Sequence, residues 1–396
     1  MSNSNILSKR VIVLLAATSA LGPTAMQILL PAIPVIKETF QVSAEIAQLT
    51  LSLSMLAIAI GTLAYGPLSD RYGRKPIMLI GLAITFVGSL FCYVAQSIEM
   101  LIVGRIIQAF GGAVGLVLAR AIVRDVYGPE QAARVIATLV MVMVVMPMLS
   151  PAVGGEVMTR FGWEAVFLVM SALSLLIFLI LQTSLQETLA EPAPFDGVGA
   201  MLRNFVRLMR SRAFRGYALC VAFVSVVFFA FISAAPEIMI SVLQRPATEY
   251  GYYFILVPLG FMLGNSVARQ FNHLGIDRLI TLGASLGVIG ILLALGLQLL
   301  GLTHPLALFA PVALAVLGNG ITLPNAQAAA INEFPQYAGT ASGLTGFLQM
   351  AFSSIAAQLV AVIYNQTAFP LLLMMLAASL ASLGFFVASR RGANSD

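Results

Sequence analysis

Few side chains in this 396-residue chain are both able to hold charge or a proton and set inside apolar stretches. Arg105, in LIVGRIIQAFGGA, has Gln108 one helical turn away and apolar neighbours on both sides. Glu237 directly follows Pro236 in AAPEIM, and Glu156 closes the segment PMLSPAVGGE. A charged side chain at the centre of a bilayer costs about 2.5–3.5 kcal/mol on insertion scales, so it is read first as a functional group. An arginine there can organise a proton or substrate site, and a carboxylate can exchange protons once desolvation raises its pKa. Both acids lie toward the outer ends of their stretches, where hydration is the competing account. A third group sits between two hydrophobic runs, where Gly66 to Lys75 reads GPLSDRYGRK. Gly66 and Gly73 are expected to make a tight reversal, with Asp70 accepting backbone donors at a helix N-terminus, where the macrodipole favours an anion. Arg71, Arg74 and Lys75 can pair with that acid or with lipid phosphate. The fixed spacing favours a conformational latch over a simple basic turn.

The elements that position these groups follow from composition. At 60% hydrophobic and 9% charged residues, with a mean hydropathy of +0.97, the chain has too much apolar surface for a water-soluble globule. Spanning a membrane takes about 20 mostly apolar residues. Twelve stretches qualify, at roughly 11–36, 46–67, 76–96, 98–122, 135–158, 164–185, 216–243, 251–271, 278–300, 305–324, 337–363 and 369–389. Prolines at 23, 31, 147, 151, 236 and 258 fall within them, as neighbouring helices in a bundle allow.

Seventeen of the 21 Lys and Arg residues fall on one side if the N-terminus is cytoplasmic, which predicts both termini in the cytoplasm and an even number of spans. That distribution accounts for the net charge of +5 without a nucleic-acid partner. The basic start followed by an apolar run is expected to be a retained first span rather than a signal peptide, because the run continues through Pro23, Pro31 and Pro34. The polar interval from Gln186 to Arg215 divides the spans six and six, giving an N-terminal bundle 1–185, a linker 186–215 and a C-terminal bundle 216–396. Its basic part, Arg203 to Arg215, reads as solvated topology charge in preference to an amphipathic helix on the leaflet. GNSVARQFNHLGIDRL from Gly264 weakly echoes GPLSDRYGRK, without the acid. Cys92 and Cys220 are the only cysteines and fall toward opposite membrane faces, so neither a disulfide nor a metal cluster is expected. His273 and His304 fall in loops and make a poor pH switch.

These residues resemble a known family. GPLSDRYGRK is similar to the loop signature between helices two and three of the major facilitator superfamily, and the six-plus-six layout agrees. LIVGRIIQAFGGA resembles its helix-four arginine motif, and PMLSPAVGGE the helix-five motif associated with antiporters. With LLPAIP, ARAIVRDVYGPEQAARV, LPNAQAAAI and AGTASGLTGFLQ, the set resembles the bicyclomycin-resistance branch of drug:proton antiporters over nearly the whole chain. The resemblance implies an all-α integral membrane protein with two pseudo-symmetric six-helix bundles rocking around a midplane cavity. It also implies a latch at Gly66, Asp70, Arg71, Gly73 and Arg74, and a bending, leak-sealing hinge at Pro147, Pro151, Gly154 and Gly155.

One departure matters. Where the branch usually carries an acid four residues before Pro31, this chain has Gln27, which cannot cycle a proton. Glu237 is the leading replacement and Glu156 the second. Met26, Phe231, Phe347 and Met350 are candidates for an adaptable apolar pocket, with Gln349 as a polar partner. The expected activity is proton-coupled export of small amphipathic compounds, neutral or anionic, by a monomer in the bacterial inner membrane. No nucleotide loop, nucleophile triad or metal set points to an enzyme or a cofactor, and the energy source is the proton gradient. An uncoupled facilitator or importer of the same fold is the rival, and a non-transporting membrane sensor a weaker one.

Overall fold

The computed structural model describes residues 9–189, 197–334 and 337–393, so Glu191, Pro192, Pro194 and Asp196 of the linker lie outside the described residues. Among the described residues every regular element is helical. Twelve helical segments are long and apolar enough to cross a membrane, one for each expected stretch. The chain divides into two compact units, Met1–Phe195 and Asp196–Asp396.

The first unit holds α1 (Lys9–Gln27), α2 (Ile33–Thr39), α3 (Ala44–Tyr72), α4 (Arg74–Tyr93), α5 (Ile98–Phe161) and α6 (Ala165–Ser184). Prolines set the first break. Pro31 has no N–H for the carbonyl of Gln27, and α1 ends at Gln27 before a short 3-10 turn, Leu30–Ala32. Helix starts are marked by serines: Ser43 accepts the Ile46 N–H at 3.4 Å and Ser97 the Met100 N–H at 3.2 Å. Helix α5 is helical over 64 residues and carries two of the twelve segments, Ile98–Tyr127 and Met141–Phe161. Arg120 Nη2 lies 3.8 Å from Met143 Sδ, although 23 residues of straight helix would span about 34 Å, so α5 doubles back between them.

The prolines of the expected hinge do not interrupt this helix. Pro147 and Pro151 are both buried, helical assignment continues through them, and the Pro147 carbonyl accepts from Ser150 Oγ at 2.8 Å. Gly155 is buried, and its carbonyl accepts from Thr159 Oγ1 at 2.7 Å. Gly154 backs directly onto the chain just past α1, where an added Cβ would overlap the carbonyl oxygen of Ile28. Gly154→Ala is therefore expected to destabilise the protein by about 1–3 kcal/mol, as overpacking against backbone does. A thermal melt in detergent, unchanged from the parent, would show that α5 moves away at no cost.

The second unit holds α7 (Gly197–Arg210), α8 (Arg212–Ser241), α9 (Ala247–Phe254), α10 (Leu256–Gln270), α11 (Ile276–Leu299), α12 (Pro305–Asn332), α13 (Ala338–Ile363) and α14 (Phe369–Ala393). Part of the expected linker is thus a helix, α7, packed within this unit. Pro258 cannot bond the Phe254 carbonyl, and the eighth segment breaks into α9 and α10 at that point. His304 has a role that its position in a loop hides: its Nδ1 accepts the Leu306 N–H at 3.2 Å and caps α12. Both cysteines are buried and free. The internal repeat is visible in the backbone, since α4 follows Gly73 (φ 99°, ψ 150°) and α11 follows Gly275 (φ 84°, ψ 154°).

Candidate functional site

Arg105 sits seven residues into α5, about 10 Å from its start, and is 1% exposed. Its guanidinium faces the interior of the first unit. Nη1 donates to the Ala25 carbonyl at 3.0 Å and to Gln108 Oε1 at 2.5 Å, and Nε donates to the Thr50 carbonyl at 3.4 Å. Gln108 passes the connection on by donating to Ser89 Oγ at 2.8 Å, and the Phe167 ring lies 6.0 Å from the guanidinium carbon. One arginine therefore ties together α1, α3, α4 and α6. None of the ion pairs found among the described residues includes it. Its Nη2 is buried without a hydrogen-bond partner. A buried cation with a spare donor and no paired carboxylate is suited to receive an anion or a polar acceptor from elsewhere.

Gln27 ends α1, two residues from the carbonyl that holds Arg105. It is 9% exposed, and its Oε1 is buried without a hydrogen-bond partner. Met26 beside it is buried as well. Glu156 is elsewhere on the first unit, exposed and paired with Arg160 at 3.3 Å.

The GPLSDRYGRK segment is not a loop. Gly66 and Pro67 lie inside α3, which runs on to Tyr72, so the expected two-glycine reversal reduces to Gly73 alone. Asp70 does not cap the next helix. Its carboxylate pairs with Arg74 Nη1 at 2.5 Å, and Arg74 Nε pairs with Asp125 on α5 at 2.8 Å. Arg74 also donates to Ser69 Oγ at 2.7 Å and is 7% exposed, whereas Arg71 is exposed beside the Tyr72 ring.

The acid at the N-terminus of α4 is Glu187, from the chain just past α6. Its Oε1 accepts the Arg74 N–H at 2.9 Å and its Oε2 the Lys75 N–H at 3.2 Å. The N–H groups of Thr188 and Leu189 add two more bonds at 2.9 Å each. Partial burial pushes this carboxyl up, but the backbone donors of Leu189, Arg74, Lys75 and Thr188 outweigh it and hold it below the ordinary glutamate range.

In the second unit Glu237 lies four residues from the end of α8 and is partly buried. Ser241 Oγ donates to its Oε1 at 3.1 Å and to its backbone carbonyl at 2.6 Å. Phe231, expected at a pocket wall, is fully buried and meets Phe309 edge to face at 5.2 Å, with Tyr250 and Tyr253 against the same ring. It is a packing residue of that cluster. Gln349 and Met350 are partly buried on α13, and the Gln349 carbonyl accepts from Ser353 Oγ at 2.7 Å. Phe347 packs against the cluster around Phe214 and Ala341.

Sequence reasoning missed Glu187, Asp125 and Asn319. Asn319 is buried in α12 and donates to the Val224 carbonyl at 3.1 Å. Asp125 carried a signal, an acid inside ARAIVRDVYGPEQAARV, whereas Glu187 is 113 residues from Arg74 and carried none.

The chain is 29% identical over 388 residues to a bicyclomycin resistance protein homolog of Haemophilus influenzae, covering 96% of each. It is 30% identical over 358 residues to multidrug resistance protein D of Escherichia coli, covering 89% of this chain and 88% of that protein. In fold it matches a bacterial homolog of the human lysosomal transporter Spinster, solved inward-facing and unoccupied. That match has a TM-score of 0.76 at 17% identity, over 100% of this chain and 99% of the other. The profile of the Major Facilitator Superfamily matches residues 15–358, and the chain belongs to that superfamily of multi-pass membrane transporters.

Proposed function

We propose that the protein is a proton-driven exporter of small amphipathic compounds, neutral or anionic, working by alternating access. It acts as a monomer in the bacterial inner membrane with both termini in the cytoplasm. The observation that carries this reading is Arg105, fully buried, with no ion pair found among the described residues and its Nη2 amino group unspent. A site of that sign suits a carboxylate or a polar neutral group and repels a strongly cationic one. The names of the relatives, bicyclomycin resistance and multidrug resistance, support antimicrobial compounds as cargo. An endogenous product such as a siderophore or amino-acid derivative satisfies the same chemistry. Gly66, Asp70, Arg71, Gly73 and Arg74 serve as the latch of the cycle, and Pro147, Pro151, Gly154 and Gly155 as its hinge.

Glu237 carries the proton, because Gln27 cannot and Glu156 is spent on an exposed pair with Arg160. Everted vesicles energised with a proton gradient, tested against a panel of neutral, anionic and cationic compounds, should accumulate the first two classes. Glu237→Gln should abolish that gradient-driven accumulation while the protein still expresses and folds. Full transport by a well-expressed mutant would remove Glu237 from the mechanism.

Gln27 also favours a second reading, a facilitator of the same fold without proton coupling. In that case substrate would equilibrate across proteoliposomes with no accompanying proton movement.

A further inference from the structure

Helix α7 ends one residue before a membrane-crossing segment begins, with Arg210 followed by Ser211 and the segment Arg212–Ser241. So short a connection holds it at the membrane–water boundary. One side of the helix is anchored: Leu208 is 1% exposed within an apolar cluster of Phe214, Ala330, Ala341 and Leu344, with Phe205 and Met209 packed on it. Arg207 adds a second tether at the edge of the open side, donating to Tyr337 Oη at 3.0 Å with its guanidinium carbon 5.6 Å from the centre of that ring.

The other side is open. Leu202 and Val206, one turn apart, are each 54% exposed, and Arg203 and Arg210 are exposed on the same short helix. Arg212 and Arg215 continue the exposed basic series into the next helix, and no Asp or Glu occurs from Gly197 to Gly216. Solvated topology charge explains the arginines but not two large aliphatic side chains presented between them.

We propose that the open face of α7 is a docking surface for anionic phospholipid. Leu202 and Val206 seat between acyl chains at the headgroup boundary, and Arg203 and Arg210, with Arg212 and Arg215, take the phosphates. Apolar insertion beside clustered arginines is the chemistry of an interfacial helix on a negatively charged leaflet. A zwitterionic surface supplies the apolar half of that match without the net charge. Because α7 is pinned to the start of α13 through Arg207 and its N-cap residue Tyr337, lipid bound there bears directly on the second unit.

The test uses the full-length protein in nanodiscs. Both native cysteines are buried, so Leu202→Cys can be labelled selectively with a polarity-sensitive dye. The expected result is a blue-shifted dye that brominated phosphatidylglycerol quenches more strongly than brominated phosphatidylcholine. Adding Arg203→Gln and Arg210→Gln should cut the preference for phosphatidylglycerol by roughly tenfold or more. Equal quenching by the two lipids, in the Leu202→Cys protein that keeps every arginine, would overturn the proposal by showing apolar seating alone. No quenching by either lipid would overturn it too, since α7 would then be solvated.

Discussion

Replacing Arg105 with methionine is expected to raise KM for anionic substrates by at least about tenfold while changing KM for neutral ones far less. Methionine keeps the length and much of the volume but removes the charge and every donor. The guanidinium makes bonds to Ala25, Thr50 and Gln108 and still has Nη2 to offer. A hydrogen bond to a charged group contributes about 1.5–3 kcal/mol, and about 1.4 kcal/mol is a factor of ten in affinity. Losing one such bond to a substrate carboxylate therefore gives the tenfold change at the low end. Arg105→Lys separates charge from geometry. A lysine keeps the cation but cannot reach three acceptors on three helices and present a further planar donor. It should recover part of the affinity for anions and little of the stability. Proteoliposome kinetics with paired neutral and anionic substrates, alongside melting temperatures, provide the readout. An equal loss for both substrate classes would mean that Arg105 only braces α1, α3 and α4, and the anion site would have to be abandoned.

The apolar runs were legible because a membrane imposes a length, and each of the twelve expected stretches has a helix in the structure. Their ends were less so. The reversal expected to begin at Gly66 would end α3 there, yet the helix continues through Pro67 to Tyr72. Proline is tolerated within membrane helices because other groups satisfy the freed carbonyl, so its presence alone does not mark an end. Arg105 was legible for the opposite reason, since a charge in an apolar run has few tolerable environments, all of them specific. That no ion pair found among the described residues includes it was foreshadowed by Gln27, but only by comparison with the family pattern. Phe231 shows the limit at the other extreme. Nothing in sequence distinguishes an aromatic that lines a cavity from one that packs on Phe309, because both need only an apolar position. Glu187 was out of reach altogether: chain folding alone brings it to the first turn of α4.

The position of Glu187 against Gly73, at the start of α4, leads to the second large effect, a severe loss of stability in Gly73→Ala. At φ 99° and ψ 150° Gly73 occupies a region open almost only to glycine, and a side chain there costs about 1–3 kcal/mol in backbone strain. An added Cβ would also lie 2.5 Å from Glu187 Oε2 and 3.1 Å from its Cδ, displacing the carboxylate from the N-terminus of α4. Strain and cap are lost together. Glu187→Gln removes the charge and turns one of its two acceptor oxygens into an NH2 donor, a loss of about 0.3–1 kcal/mol because the side chain is exposed to solvent. The order of stability should thus be parent, Glu187→Gln, then Gly73→Ala by a wide margin. Acid separates the two defects. The folded-state pKa of Glu187 is depressed, so its stabilisation is present above the ordinary glutamate value and disappears as pH falls through the lower folded value. Melts repeated at decreasing pH should bring Glu187→Gln level with the parent, while Gly73→Ala stays below both, since backbone strain has no proton to gain. A gap between parent and Glu187→Gln that survives in strong acid would rule out the charge at this helix end as its cause.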